Sequence, residues 1–137
     1  MKVKILVLCT GNSCRSQMAE GIIRNINPDF EVYSAGTRPE KEVNPYAVKA
    51  MNEIGIDISK HYPKNADIFT NIDFDYVITV CDNAKEVCPV FTGNVKHRLH
   101  KGFEDPFNAA GSEEEKMKVY RKVRDQIKNV FNEMFDE

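Results

Sequence analysis

Val7-Leu8-Cys9-Thr10-Gly11-Asn12-Ser13-Cys14-Arg15-Ser16 is the stretch on which the reading of this chain turns. Before it, Val3, Ile5, Leu6, Val7 and Leu8 make an apolar strand that runs straight into Cys9. After it, Met18, Ala19, Ile22, Ile23 and Ile26 recur at helical spacing, which predicts an amphipathic helix from about Ser13 to Ile26. Strand, tight loop, helix is the layout of an anion cradle. Loop N–H groups turn inward, and the helix N-terminus adds partial positive charge. Thr10, Gly11, Asn12, Ser13, Cys14, Arg15 and Ser16 are the candidate oxyanion-binding residues. Gly11 lets the backbone come close, and Arg15 offers a planar fork to two oxygens of a tetrahedral anion. Cys9 sits where the helix dipole and Arg15 both favour its thiolate, so a nucleophile with a lowered pKa is expected there. Ser16 is placed to donate a hydroxyl hydrogen bond to that sulfur. The plain alternative is a buried strand-end cysteine and an arginine on a solvated helix face.

The remaining composition narrows the classes. The chain has 137 residues, which suits one domain with one core, spanning 1–137. Its 19 basic and 21 acidic residues give no global basic field, so nucleic acid is not an expected partner. No apolar run is long enough to span a bilayer, and no membrane association is expected. Met1-Lys2-Val3-Lys4 leads directly into the first strand, and the apolar run is too short for a signal peptide. A cytoplasmic location is therefore expected, where the four cysteines are reactive or metal-binding rather than structural disulfides.

Further along, Asn27-Pro28 stops the first helix. Phe30 to Tyr33 reads as a second strand closed by Ser34-Ala35-Gly36, and Thr37 to Val43 as a polar loop. Asn44-Pro45 is a helix start, with Asn as N-cap and Pro at the first position. Ala47, Val48, Met51 and Ile54 form its buried stripe, and Gly55 its end. Residues 56–66 read as irregular and 67–72 as a short helical turn. Tyr76 to Val80 is a β-branched strand ending at Cys81, and Val95 to Leu99 a weaker one. Ser112-Glu113-Glu114-Glu115 is a capping box that opens a last helix, with Met117, Tyr120, Val123, Ile127, Val130, Phe131 and Met134 inward. Alternating strands and helices predict an α/β domain with a parallel sheet and helices on both faces. Its ligand site should lie beyond the C-terminal strand ends, where Cys9 and Cys81 both fall.

Cys9 to Glu20, CTGNSCRSQMAE, resembles the anion loop of the low-molecular-weight tyrosine phosphatase superfamily, and more narrowly its thioredoxin-coupled arsenate reductase family. The resemblance implies four strands in the order 2-1-3-4. A cysteine in an oxyanion loop permits phosphate-ester hydrolysis through a cysteinyl-phosphate, which needs no second thiol. It also permits reduction of an oxyanion such as arsenate, a two-electron step that two thiols supply by joining in a disulfide. Cys81 and Cys88, the latter followed by Pro89, favour reduction and match the family's relay. The resemblance implies attack by Cys81 on the Cys9-bound adduct, release of arsenite, and transfer of the disulfide to Cys81 and Cys88. Thioredoxin or a similar dithiol protein then reduces it. If residues 81–88 were helical, the two Cα atoms would stand about 10 Å apart. A disulfide needs about 4.4–6.8 Å, so partial unwinding of this segment is expected when Cys81–Cys88 forms.

Asp105, held extended by Pro106, is the general-acid candidate, as the resemblance also implies. Asn12 is expected to hold the loop through side-chain hydrogen bonds. In some family members the residues matching Asn12, Glu20 and Ser34 help bind potassium with an Asp whose place here holds Lys64. The expectation is no potassium site, and a Lys64–Glu20 pair in its stead. Lys101 stands where these reductases often carry tryptophan, with one residue inserted before it. Phe107 stands where the phosphatases usually carry a substrate-stacking tyrosine. His61, His97 and His100 read as surface residues, and Cys14 as a cysteine packed inside without a required thiol role. Zinc at Cys9/Cys14 would block the anion loop, so no metal or bound cofactor is expected. The expected enzyme is a monomeric arsenate reductase for which phosphate and sulfate are competing oxyanions. The alternatives are a low-molecular-weight phosphatase acting through a Cys9 phospho-enzyme, and an oxyanion- or zinc-binding regulatory module.

Overall fold

The computed structural model describes residues 2–82 and 90–135. In chain order the elements are β1 (Lys4–Cys9), α1 (Arg15–Ile26), β2 (Glu31–Gly36), α2 (Pro45–Asn52), β3 (Phe74–Thr79), β4 (Val95–His100) and α3 (Glu113–Phe135). Two short 3-10 turns, Ala66–Phe69 and Pro106–Asn108, lie between them. The four strands form one parallel sheet in the order β2-β1-β3-β4, the order the resemblance implied.

β1 is central and buried on both faces, as its unbroken apolar run requires. Side chains alternate along a strand, so Ile5, Val7 and Cys9 face one core and Leu6 and Leu8 the other. The first core is closed by Met18, Ile22 and Ile23 of α1, Ala47 and Met51 of α2, and Met117, Val123, Ile127 and Phe131 of α3. Val130 and Met134 are only partly buried at its edge. The second core is smaller and aromatic, with Phe69 from the first 3-10 turn, Phe74 and Phe91. Register aligns Cys9 with Gly36 and Leu8 with Thr79, so the ends of β1, β2 and β3 come together on one edge of the sheet.

The helix ends follow their local chemistry. Asn44 Oδ1 accepts from Tyr46 N–H at 2.9 Å, with Pro45 in the first turn. Gly55 takes φ +79° past the end of α2. The capping box of α3 is reciprocal: Glu115 N–H donates to Ser112 Oγ (3.2 Å) and Ser112 N–H to Glu115 Oε1 (3.3 Å). Ser112→Ala should cost about 1 kcal/mol, read as a lower urea midpoint, while Ser112→Asp keeps the acceptor and most of the stability. β3 starts two residues earlier than its apolar run suggested. Phe74 N–H bonds to Asn94 O at 3.0 Å and Phe74 pairs with Val95, so β4 extends the strand backwards.

Candidate active site

The loop from Thr10 to Cys14 is held from outside by its carbonyls. Thr10 O accepts from Arg38 N–H (3.0 Å), Gly11 O from Glu40 N–H (2.9 Å) and Ser13 O from Asn44 N–H (2.9 Å). Asn12 O accepts from Gln17 Nε2 (3.1 Å) and Cys14 O from Met18 N–H (2.9 Å). With all five carbonyls engaged outside the loop, its N–H groups are the ones left to face an anion. The segment after β2, which reads as an ordinary polar loop, is thus the outer wall of the cradle.

Asn12 is the keystone. It adopts φ 52°, a left-handed conformation that asparagine tolerates better than most residues. Its Nδ2 donates to Ser16 Oγ (2.8 Å) and Ser34 Oγ (3.0 Å). Its Oδ1 accepts from Gln17 Nε2 (3.1 Å) and Lys64 N–H (2.9 Å). All four side-chain hydrogen-bonding positions are used. Ser34 passes the network on by donating to the buried Glu20 Oε1 at 2.7 Å.

Two expectations are corrected here. Lys64 does not pair with Glu20: its Nζ donates to Tyr62 O at 2.8 Å and lies over the Tyr62 ring. Glu20 Oε2 is instead reached by Arg24 (3.4 Å) and His61 (3.5 Å). His61 is therefore not a surface residue. It is half-buried, and its Nδ1–H donates to Gln17 Oε1 at 3.1 Å. Burial pushes its pKa below the ordinary histidine value, with Glu20 pulling the other way. Lys64 is anchored to the loop by its own N–H on Asn12 Oδ1, and its ammonium is taken up by the Tyr62 carbonyl.

Cys9, at the end of β1, is nearly buried and lines a cavity of about 530 Å³. Thr10, Gly11, Asn12, Ser13, Cys14 and Arg15 line it too. Arg15, at the start of α1, is buried, with Nη1 donating to Phe103 O (3.2 Å) and Nη2 3.4 Å from Asp105 Oδ2. Asp105 has φ −85° and ψ 110°, the extended geometry imposed by Pro106. Its Oδ1 accepts from Phe107 N–H at 3.0 Å, so the carboxyl is fixed at the cavity from both sides. Ser16 is fully buried beneath the loop. Cys14 packs inward, 3.9 Å from Tyr120 Oη and 3.6 Å from Ser13 Oγ. Burial pushes its thiol up to about 12, so it stays protonated at neutral pH and is no rival nucleophile.

Cys81 lies two residues beyond β3, fully buried in the same core cluster as Cys9 and Cys14. Val80 N–H bonds to Leu8 O at 3.0 Å, which keeps this end of β3 beside the end of β1. Asp82, the next residue, lines the Cys9 cavity. Cys9 and Cys14 are in no disulfide, whereas Cys81 is disulfide-bonded. Cys88 and the segment expected to unwind lie outside the described residues. Sequence reasoning missed Arg38 and Glu40, which reach the cavity from the wall segment. Nothing in a polar loop's composition signals that it will land there. Among the described residues no group of His, Cys, Asp or Glu could hold a metal ion.

Comparison with known proteins agrees with this architecture. Residues 4–137 match the family model described as low molecular weight phosphotyrosine protein phosphatase. The chain is 50% identical over 127 residues to an arsenate reductase of Halalkalibacterium halodurans, covering 92% of this chain and 90% of that one. It is 48% identical over 132 residues to an arsenate reductase of Bacillus subtilis, covering 94% and 92%. A solved arsenate reductase in a phosphate-binding state superposes with a TM-score of 0.80 at 32% identity, covering 98% of this chain and 96% of that one. The chain belongs to the low molecular weight phosphotyrosine protein phosphatase family and, within it, groups with the arsenate reductases.

Proposed function

We propose that this protein reduces arsenate to arsenite, using Cys9, Cys81 and Cys88 in turn and an external dithiol protein such as thioredoxin as reductant. The observation that carries the reading is the second cysteine. Cys81 follows the strand next to that of Cys9, is disulfide-bonded, and has as its neighbour a residue of the oxyanion cavity. A phosphatase needs none of this.

In the first step the Cys9 thiolate attacks arsenic, an As–O bond breaks, and Asp105 gives its proton to the departing oxygen, which leaves as water. Arg15 and the loop N–H groups hold the remaining oxygens. The Cys81 thiolate then attacks the Cys9 sulfur. The S–As bond breaks, its electron pair stays on arsenic, and arsenite leaves while a Cys9–Cys81 disulfide forms. The Cys88 thiolate attacks Cys81 and frees the Cys9 thiolate. Thioredoxin returns Cys81–Cys88 to two thiols, supplying the two electrons. The enzyme needs no bound cofactor, acts as a monomer in the cytoplasm, and takes phosphate and sulfate as competitors. No helix among the described residues is long and apolar enough to cross a membrane.

The test is arsenate reduction coupled to thioredoxin, thioredoxin reductase and NADPH. Steady NADPH oxidation with stoichiometric arsenite is expected. Robust aryl-phosphate hydrolysis without arsenate turnover would establish the phosphatase instead. Silence in both assays would indicate a binding module.

A further inference from the structure

The cavity that accepts an oxyanion has an acidic mouth. Among the described residues its charged lining is Arg15 and Arg38 against Glu40, Asp82, Glu104 and Asp105. Asp105 is answered by Arg15 (3.4 Å), and Glu104 by Lys122 Nζ (2.9 Å). Glu40 has no ion-pair partner among the described residues, yet it packs directly on the cradle. Its N–H is bonded to Gly11 O, and a Cβ at Gly11 would stand 3.1 Å from Glu40 Cγ and 3.8 Å from Oε1. The side chain therefore lies across Gly11, on the loop that must hold a dianion. A carboxylate there can only weaken anion binding, and the mechanism above gives it no task.

We infer that Glu40 is a specificity-determining residue that keeps phosphate monoesters away from Cys9 while admitting small inorganic oxyanions. The reasoning depends on what fills the mouth. When free arsenate lies at the bottom of the cavity, water stays between it and Glu40 and screens the repulsion. When a monoester binds, its organic group occupies the mouth and expels that water. The two charges then face each other at a lower effective dielectric, and the repulsion grows several-fold. Arg38, two residues earlier on the same wall, offsets part of the charge for a free ion passing in. The same carboxylate is thus a small penalty for arsenate and a large one for an ester. The inference rests on the reductase reading in taking an inorganic oxyanion as the substrate.

Glu40→Gln keeps the shape and removes the charge. Cys9-dependent hydrolysis of p-nitrophenyl phosphate should rise about tenfold in kcat/KM in the variant. Arsenate affinity, measured as competitive inhibition of that hydrolysis, should improve only about two- to threefold. The inference is overturned if the ester rate changes by less than twofold, if ester and arsenate gain by the same factor, or if neither protein hydrolyses the ester. The inhibition constant needs no redox partner. Failure of wild-type arsenate turnover would therefore sink the reductase reading without deciding the role of Glu40.

Discussion

Cys88→Ser, mixed with arsenate, thioredoxin, thioredoxin reductase and NADPH, should release about one arsenite per chain and then stop. The steady rate should fall at least a hundredfold, while the first turnover keeps nearly its wild-type rate. The reason is burial. Cys9 is 3% exposed and Cys81 0%, so a disulfide between them is shielded from the thiolate of a second protein. Thiol–disulfide exchange needs in-line access to a sulfur, and a third thiol is the means of moving the oxidation to where another protein can reach it. Cys9→Ser should show no arsenite at all, and Cys81→Ser none beyond what free thiols in the buffer produce. Rapid-quench arsenite measurement separates the burst from the steady phase. Sustained turnover by Cys88→Ser would mean that thioredoxin reaches Cys9–Cys81 directly, and the relay would have to be abandoned.

The second large effect is at Gly36. It closes β2 opposite Cys9, and its N–H donates to Lys64 O at 2.8 Å, so its backbone is fixed on both sides. A Cβ there would lie 2.3 Å from Thr10 O and 3.1 Å from Asn12 N. Both are backbone atoms of the cradle, and neither can yield without moving the loop. Gly36→Ala should cost about 1–3 kcal/mol of stability as overpacking. It should also lower kcat/KM for arsenate about a hundredfold, the scale of a misplacement of roughly 1 Å in a preorganised site. Gly55→Ala is the control. Gly55 also needs its small size, here for φ +79°, but nothing lies within 4 Å of the added carbon. It should lose about 1 kcal/mol and leave the kinetics alone. If the two variants behave alike in both urea denaturation and kinetics, the close contact at Thr10 does not shape the cradle.

The chain's local features were legible because they are encoded within a few residues of one another. The period of β1 and α1, the Asn44-Pro45 start of α2 and the Ser112–Glu115 box of α3 each depend on neighbours no more than four positions away. The extended Asp105 before Pro106 is equally local. The candidate relay was legible for another reason: a resemblance carried by Cys9, Cys81 and Cys88 tied together residues that spacing alone could not. What could not be read were pairings decided when the sheet forms. Position in the sequence suggests a Lys64–Glu20 pair, but the Lys64 N–H is captured by Asn12, 52 residues earlier, and its side chain turns to Tyr62. His61, polar and without an apolar period around it, is drawn in by Gln17, 44 residues away.

By itself, then, the sequence determined the strand–loop–helix that forms the cradle, the helix caps, and the placing of Cys9 and Arg15 at the two ends of that loop. Hydrogen bonds and steric limits within one turn suffice for those. Tertiary structure alone decided that Arg15 meets Asp105 across ninety positions, that residues 38–44 wall the loop, and that the Glu40 side chain lies against Gly11 and lines the cavity. The parallel order β2-β1-β3-β4 brings the ends of distant strands to one edge, and which side chains then meet depends on register, which no short window of residues contains.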